Sequence, residues 1–494
     1  MTGTRIGPDL YRDNPFRITD LPVDASDRDI RRRTEELRIK ARFGDGTWPG
    51  SPLLRLDPPP DADAVQQAFQ RLRDPLPRLE DELFWFWPSH DGDEALAALG
   101  EGRVEDAERL WHDPGPGRPA AVAAHNLAVL AHARALDSGD LRDERWAHAL
   151  RHWRTVLDTD AFWDLVAARA RAADDPRVGA DAADDLRERL AGAVLSVSAL
   201  LAMRAAQAGE HAEAAAHVAL MRAAGFGDAA VDAALNEAAD PDTSLLRSAD
   251  QSAIDRTAAN AADGLDEARL LADRSEPVFA GLAAVLPPDH PVLSGLRDEI
   301  ADTVKYCVVR YVNHTDDSAA AEALLERATS IAATPNVKAD IAENLQIVRD
   351  NQIYETCWFC HRNRPDGRLG AGVKMYGDVQ HDYSHISWHK TTITVPRCTT
   401  CASAHRTYRI KLWAYGLGSG VSLYALASVF GWVGPYPVST VLFFLAVASI
   451  VVTAIWAATH PFSPSAKKTL HAFPPVQERL KAGWFFGQKP PSAN

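Results

Sequence analysis

Cysteine is scarce in this chain. Five residues in 494 are too few for the disulfide framework that holds small secreted domains together. Four of them form two Cys-x-x-Cys pairs, Cys357/Cys360 and Cys398/Cys401. The fifth, Cys307, lies in the apolar run Val304-Lys305-Tyr306-Cys307-Val308-Val309 and is expected to be a buried apolar residue. A free thiol beside a thiolate cluster fits a reducing compartment. Positive charge is in deficit too: the net charge is −14 and the pI near 5.6. That balance argues against nucleic acid as the main partner, because phosphate binding needs a basic surface. Residues 1–20 lack an apolar core of signal-peptide length, so export of the N-terminal part is not expected. The chain also lacks a Walker-type Gly-x-x-x-x-Gly-Lys-Ser/Thr, a dinucleotide glycine fingerprint and a Gly-x-Ser-x-Gly elbow, and no enzymatic activity is indicated.

What the chain does contain is two long uncharged runs near its C-terminus, Leu412–Trp432 and Val438–Ala458. Each is about twenty residues, enough for a helix to cross a hydrocarbon core of about 30 Å. The connector Gly434-Pro435-Tyr436-Pro437 predicts a tight antiparallel hairpin. Gly416 and Gly420 form a Gly-x-x-x-Gly face that lets the two helices approach each other. Arg406, Arg409 and Lys411 precede the first run, and Lys467, Lys468, Arg479 and Lys481 follow the second. Cations resist translocation, so both termini are expected on the cytoplasmic side of the cell's inner membrane. Neither run holds an ionisable residue of the kind a transport or proton-relay path needs.

The two cysteine pairs match a tetrahedral structural Zn²⁺ site, with Cys357, Cys360, Cys398 and Cys401 as its ligands. Between them Val373–Val379 and Ile386–Val395 read as short strands, which makes residues 354–405 a zinc ribbon. Two other chemistries compete. Cys357-Trp358-Phe359-Cys360-His361 spells the signature of covalent haem attachment, and a redox dithiol is conceivable. The haem reading leaves the second pair unexplained, and no thioredoxin-like βαβ context surrounds either pair. His381, His385 and His389 would share a face only if helical; their strand-like surroundings scatter them.

Residues 14–87 carry a helical pattern. Ser26 is a plausible N-cap with Asp27 and Asp29 in the first turn; Ile30, Leu37 and Ala41 recur on one face, and Gly44 and Gly46 end the run. A second helix opens near Asp61 and is expected to bury Ala64, Val65, Ala68, Phe69 and Leu72, and Asp74-Pro75 stops or bends it. This stretch resembles the J-domain (DnaJ) family. Asn14-Pro15-Phe16-Arg17-Ile18-Thr19-Asp20-Leu21-Pro22-Val23-Asp24-Ala25-Ser26 is similar to that family's opening helix and the turn after it, and Ala68–Pro75 to the end of its third helix. The resemblance implies a three-helix module that docks chaperone machinery. J-domains stimulate a DnaK-type ATPase through His-Pro-Asp, whereas this chain has Lys40-Ala41-Arg42-Phe43-Gly44-Asp45-Gly46 there and its first histidine is His90. The resemblance therefore implies a degenerate module retained for docking.

The aromatics of the block Phe84-Trp85-Phe86-Trp87-Pro88 cannot all face one side of a helix; some are expected to pack at an inter-domain seam, with an exposed recognition surface as the alternative. Residues 90–350 are helical throughout, with helix–Gly turn–helix segments at Ala95–Trp111 and Leu200–Gly225 and breaks at Pro114–Pro119 and Ala239–Thr243. They resemble tetratricopeptide-type hairpins, without a dependable 34-residue period, and a plain helical bundle fits equally well. Residues 474–490, with Val476 and Leu480 four apart and Trp484-Phe485-Phe486 following, are expected either to lie along a membrane interface or to pack on the zinc ribbon. The expected whole is mainly α: a J-like module (12–88), a repeat-like helical domain (90–350), a small β zinc ribbon (354–405), a transmembrane hairpin (412–458) and a C-terminal interfacial segment (474–490). Its expected role is that of a membrane-anchored adaptor or chaperone-associated protein binding protein partners. A thiol- or metal-dependent redox or haem electron-transfer protein is the alternative.

Overall fold

The computed structural model describes residues 7–43, 48–90, 92–115, 119–315, 317–381, 386–433, 436–459 and 462–490. It is mainly helical, with 71 % helix in 20 helices and a three-stranded sheet among the described residues. The first nine helices are α1 (Pro15–Thr19), α2 (Asp27–Phe43), α3 (Ala62–Arg71), α4 (Pro75–Leu83), α5 (Glu94–Gly100), α6 (Val104–His112), α7 (Ala120–Ser138), α8 (Arg145–Asp158) and α9 (Asp160–Ala172). Longer ones follow: α10 (Ala182–Gln207), α11 (His211–Ala223), α12 (Asp228–Ala259), α13 (Gly264–Val285), α14 (Pro291–Thr315), α15 (Ala321–Ile331) and α16 (Pro335–Glu355). The C-terminal part contains β1 (Ala371–His381), β2 (Ile386–Val395), α17 (Thr399–Val433), α18 (Tyr436–Thr459), α19 (Pro464–His471), α20 (Pro474–Lys481) and β3 (Phe485–Phe486). The chain divides into two compact units. One comprises Met1–Ala258, Asp266–Val304 and Ile331–Val337; the other comprises Ala259–Leu265, Lys305–Ser330 and Lys338–Asn494.

In the first unit, local capping decides where the early helices begin. The Asn14 side chain accepts from the N–H groups of Phe16 and Arg17. Ser26 and Asp29 cap α2 reciprocally: the Asp29 N–H donates to Ser26 Oγ at 3.3 Å, and the Ser26 N–H to Asp29 Oδ2 at 3.0 Å. Asp61 accepts from the Ala64 N–H at 2.8 Å to open α3, and Pro75 starts α4. Ala68, Phe69 and Leu72 are buried, while Ala64 and Val65 are half-buried. Gly44 and Gly46 lie outside the described residues.

All four aromatics of Phe84–Trp87 are buried, on irregular chain beyond α4. They join the N-terminal helices to the next ones: Phe86 stacks on Trp111, and Trp87 packs against His125 and Phe162. Asn126 clamps the Trp87 backbone through both N–H and C=O, at 2.9 and 2.8 Å. Two arginines add charged ties. Arg17, 1 % exposed, donates to the carbonyls of Leu54 and Arg55 and to the Asp137 carboxylate. Arg169 of α9 meets the buried Glu82 carboxylate at 2.9 Å, and Arg78 meets its other oxygen at 3.0 Å.

Antiparallel hairpins recur further along, with glycines at positive φ in the turns: Gly102 (φ 80°) between α5 and α6, Gly139 (φ 67°) between α7 and α8, and Gly209 (φ 86°) between α10 and α11. The expected break at Ala239–Thr243 does not occur, because α12 continues through Pro241. A helical proline removes one N–H, and the buried stripe Leu235, Ala238, Ala239, Thr243 and Leu246 holds both halves of the helix in place.

In the second unit the sheet has the order β2-β1-β3, both pairings antiparallel. Ala371 faces Val395 and Tyr376 faces Lys390, with a register shift between Gly377 and Gln380. Its core joins Ala371, Val373, Met375 and Val395 to Leu470, Phe473, Val476 and Trp484 of the C-terminal segment. The Gly487 N–H donates to the Lys374 carbonyl at 2.9 Å, and Trp388 Nε1 to the Gln488 carbonyl at 3.0 Å. The C-terminal segment thus forms part of the sheet's own core. Cys307 is fully buried.

Two helices, α10 and α17, are long and apolar enough to cross a membrane, and α18 holds a shorter apolar stretch, Thr440–Trp456. They differ in setting. Of the apolar window, 61 % is buried within the protein in α10 but only 17 % in α17. α17 and α18 pack together: Ser419 Oγ lies 2.7 Å from Ser449 Oγ, Gly416 abuts Thr453, and Gly420 abuts Ile450. The connector residues Gly434 and Pro435 lie outside the described residues.

Candidate metal centre

Each cysteine pair is presented by a different local device. Cys357 follows α16 and opens a tight turn, in which the N–H groups of Cys360 and His361 both donate to the Cys357 carbonyl, at 3.3 and 2.8 Å. His361 takes a left-handed φ of 52° to close it. Cys398 immediately precedes α17 and takes the position of an N-cap. Its sulfur accepts from the Cys401 N–H at 3.4 Å, much as a Ser or Asp oxygen would. The two turns are tied by backbone bonds: the Trp358 N–H donates to the Pro396 carbonyl at 3.0 Å, and the Asp366 N–H to the Arg397 carbonyl at 3.0 Å. The β1–β2 hairpin returns the chain from the first turn to the second, so about forty residues of sequence separation collapse to atomic contact.

The four sulfurs all lie within 4.8 Å of one another, and together they can hold a metal ion. Cys360 Sγ and Cys398 Sγ are 3.8 Å apart. Cys357 and Cys398 are buried; Cys360 and Cys401 are partly exposed. Asn363 Nδ2 points at Cys398 Sγ from 3.6 Å, a donor that the cysteine spacing did not reveal.

The electrostatics fit cation binding. The Cys401 N–H pulls the Cys398 thiol down to about 6, with help from the Asn363 amide. The backbone N–H groups of Asn363 and Arg362 lower Cys360. Desolvation, then the three neighbouring sulfurs, push Cys401 up. Donors thus favour the first charges on the cluster while mutual repulsion resists the last, and a bound cation removes that repulsion.

The histidines around the site are dispersed. His361 is exposed and packs edge-on against Trp358. His389 on β2 is exposed, with Nδ1 3.6 Å from Asp378. His405 is wedged between Phe359 and Phe462 beside Arg397, and burial followed by that cation lowers its pKa. His385 and the His381 side chain lie outside the described residues.

Three further histidines, in the first unit, escaped the sequence reading. His125 Nε2 lies 2.7 Å from the Leu83 carbonyl. His132 Nδ1 accepts from Trp153 Nε1 at 3.0 Å and lies 3.2 Å from the Tyr11 hydroxyl. His217 packs edge-on against Trp146. Burial lowers them to about 4, 3 and 4 respectively, so each is a neutral core residue near neutral pH. A signal existed, since Val122, His125, Val129 and His132 recur at helical spacing on one face of α7.

Comparison with protein families, with curated proteins and with solved structures finds no match to this chain.

Proposed function

We propose that the chain is a membrane-anchored adaptor or chaperone-associated protein, with α17 and α18 as its anchor, a structural Zn²⁺ held by Cys357, Cys360, Cys398 and Cys401, and a helical N-terminal region that binds protein partners. The observation that carries the reading is the bare apolar surface of α17 and α18, leading directly out of a four-sulfur cluster. Val421, Phe444 and Ile455 are 64, 66 and 59 % exposed, with many apolar neighbours on the same two helices. Monomeric soluble proteins rarely expose a contiguous apolar surface of that kind. α10 passes the same apolarity test while mostly buried, which fits a core helix of a soluble unit. The flanking cations Arg406, Arg409, Lys411, Lys467 and Lys468 favour both termini in the cytoplasm.

Zinc is favoured by ligand chemistry and by spacing. Four thiolates without an open position suit a structural site, and a tetrahedron with bonds of about 2.3 Å places its sulfurs about 3.8 Å apart. The Cys360–Cys398 separation of 3.8 Å agrees. Covalent haem attachment would require Cys357 and Cys360 to reach vinyl groups, whereas both sulfurs are engaged within the cluster and Cys357 is buried. The J-like part of the proposal rests on the capped opening Asn14–Asp20, on α2 and α3, and on the Asp74-Pro75 junction. Without His-Pro-Asp, docking rather than ATPase stimulation is the expected activity.

Metal analysis of the purified full chain tests the staple: one Zn per chain without a haem band supports it, and iron or a reversible dithiol titration refutes it. Labelling of intact cells with an impermeant maleimide tests the orientation, which fails if the four cysteines are modified from outside. Affinity capture with the full chain in detergent tests the adaptor role; turnover of a small molecule with no protein captured refutes it.

A further inference from the structure

Charge is unevenly distributed along this chain. Residues 351–494 carry 14 Lys and Arg against 5 Asp and Glu, a balance of +9 within a total of −14. Between Asp382 and Glu478 the sequence has no acidic residue at all. Within that stretch Thr399, Thr400, Ser403, Thr407, Tyr408 and Lys411 line an open groove of about 830 Å³ along α17. Helical spacing explains it, since Thr399, Ser403, Thr407 and Lys411 recur every fourth residue on one face, and Ala404 keeps the floor low. The lining offers five hydroxyls and one ammonium, with no carboxylate among them. The groove ends at Lys411, and the apolar run begins at the next residue, Leu412.

We infer that this groove seats the headgroup of an anionic phospholipid, its phosphate against Lys411 and the hydroxyls of Thr407 and Ser403, its acyl chains along α17 beyond Leu412. The inference rests on α17 being embedded in the membrane, as proposed above. Depth and charge select the occupant. A cation one residue from the apolar run lies at headgroup level, where anionic lipid is concentrated and acts within a Debye length. The hydroxyls can donate to phosphate oxygens and also bond a polyol headgroup. A choline headgroup brings its own cation to a groove that already holds one, so zwitterionic lipid is disfavoured.

The test uses the full chain reconstituted in nanodiscs of equal phosphatidylglycerol and phosphatidylcholine, with the lipids retained after stripping counted by native mass spectrometry. Phosphatidylglycerol should be retained about fivefold over phosphatidylcholine, the discrimination that one lysine at a lipid surface supplies. Lys411→Gln should abolish the preference and Ser403→Ala/Thr407→Ala should weaken it. Lys489→Gln, which removes the same charge outside the groove, should leave it intact. Absence of any preference overturns the site, as does equal loss in the Lys411 and Lys489 variants, which would signify diffuse attraction alone. Carbonate extraction of the full chain from vesicles of the same lipid composition separates failure of the anchor from failure of the groove. A released chain refutes the anchor and the groove with it, whereas an embedded chain without lipid preference refutes only the groove.

Discussion

Adding one methyl group to β1 should weaken metal binding, although the methyl touches no ligand. A Cβ at Gly377 would stand 2.5–2.7 Å from three ring atoms of Trp484, where carbon atoms ordinarily approach to about 3.5–4.0 Å. The ring must therefore retreat by about 1 Å, and it has little freedom to do so. Trp484 is 7 % exposed and belongs to the sheet core. The Arg479 guanidinium covers its face at 4.8 Å from the ring centre, and its N–H donates to the Arg479 carbonyl at 2.9 Å. Overpacking of this kind costs about 1–3 kcal/mol. Because ordering of a small metal module is coupled to ion binding, the apparent Zn²⁺ affinity of Gly377→Ala should fall by about 5- to 150-fold, read by competition with a chromophoric chelator. Trp484→Ala alone should cost about 3–5 kcal/mol. In that background Gly377→Ala should be nearly neutral or slightly stabilising, since Ala is favoured over Gly in a strand by roughly 0.5–1 kcal/mol. A full penalty for Gly377→Ala in the Trp484→Ala background would refute the reasoning, because the methyl would then be colliding with something else.

Three further outcomes are expected. Arg17→Leu strands the Leu54 and Arg55 carbonyls and leaves the half-exposed Asp137 without this partner, so it should destabilise the first unit by about 1–3 kcal/mol, seen as a lower denaturation midpoint in tryptophan fluorescence; an unchanged midpoint would count against the buried tie. Acidification should destabilise the same unit: His125, His132 and His217 have folded pKa values of about 4, 3 and 4, below the unfolded value near 6.5, so the unfolded chain gains protons first and stability is lost as pH falls from about 6.5 to about 3. Asp81, raised to about 7 by burial, acts in the opposite direction over part of that window, so a midpoint that holds steady or rises on acidification would mean that the imidazoles do not dominate. Between α17 and α18, a Ser419→Cys/Ser449→Cys pair should cross-link on oxidation, since the hydroxyls are 2.7 Å apart, and adding Gly416→Leu should suppress the cross-link because Gly416 abuts Thr453; undiminished cross-linking would show that the glycine face is not where the helices meet.

Local rules were legible in the sequence, and most non-local pairings were not. The alternation Thr391-Thr392-Ile393-Thr394-Val395 placed β2 at its observed bounds, Ile386–Val395, because period-two patterning is a property of the strand itself. The Ser26 cap and the Asp74-Pro75 junction followed from side-chain chemistry within four residues. The two cysteine pairs identified themselves by spacing, and the structure brings their sulfurs together. Asn363 did not, since its role depends on a turn bringing it beside Cys398. Nor did β3, which pairs with β1 across about a hundred residues without a distinguishing pattern in Phe485-Phe486. Pro241 misled because a helix breaker is a local signal, and tertiary burial on both sides overrode it.

α17 runs for 35 residues, and between Thr399 and Tyr415 it contains neither glycine nor proline. The rod that begins at the Cys398 sulfur therefore reaches the greasy run of side chains without a joint, and Leu412 stands about 16 Å along its axis from Cys401. A rotation of the apolar end must turn the sulfur-bearing end through the same angle. Conversely, if the cluster holds an ion, its loss would free the top of a stiff lever rather than slacken a tether.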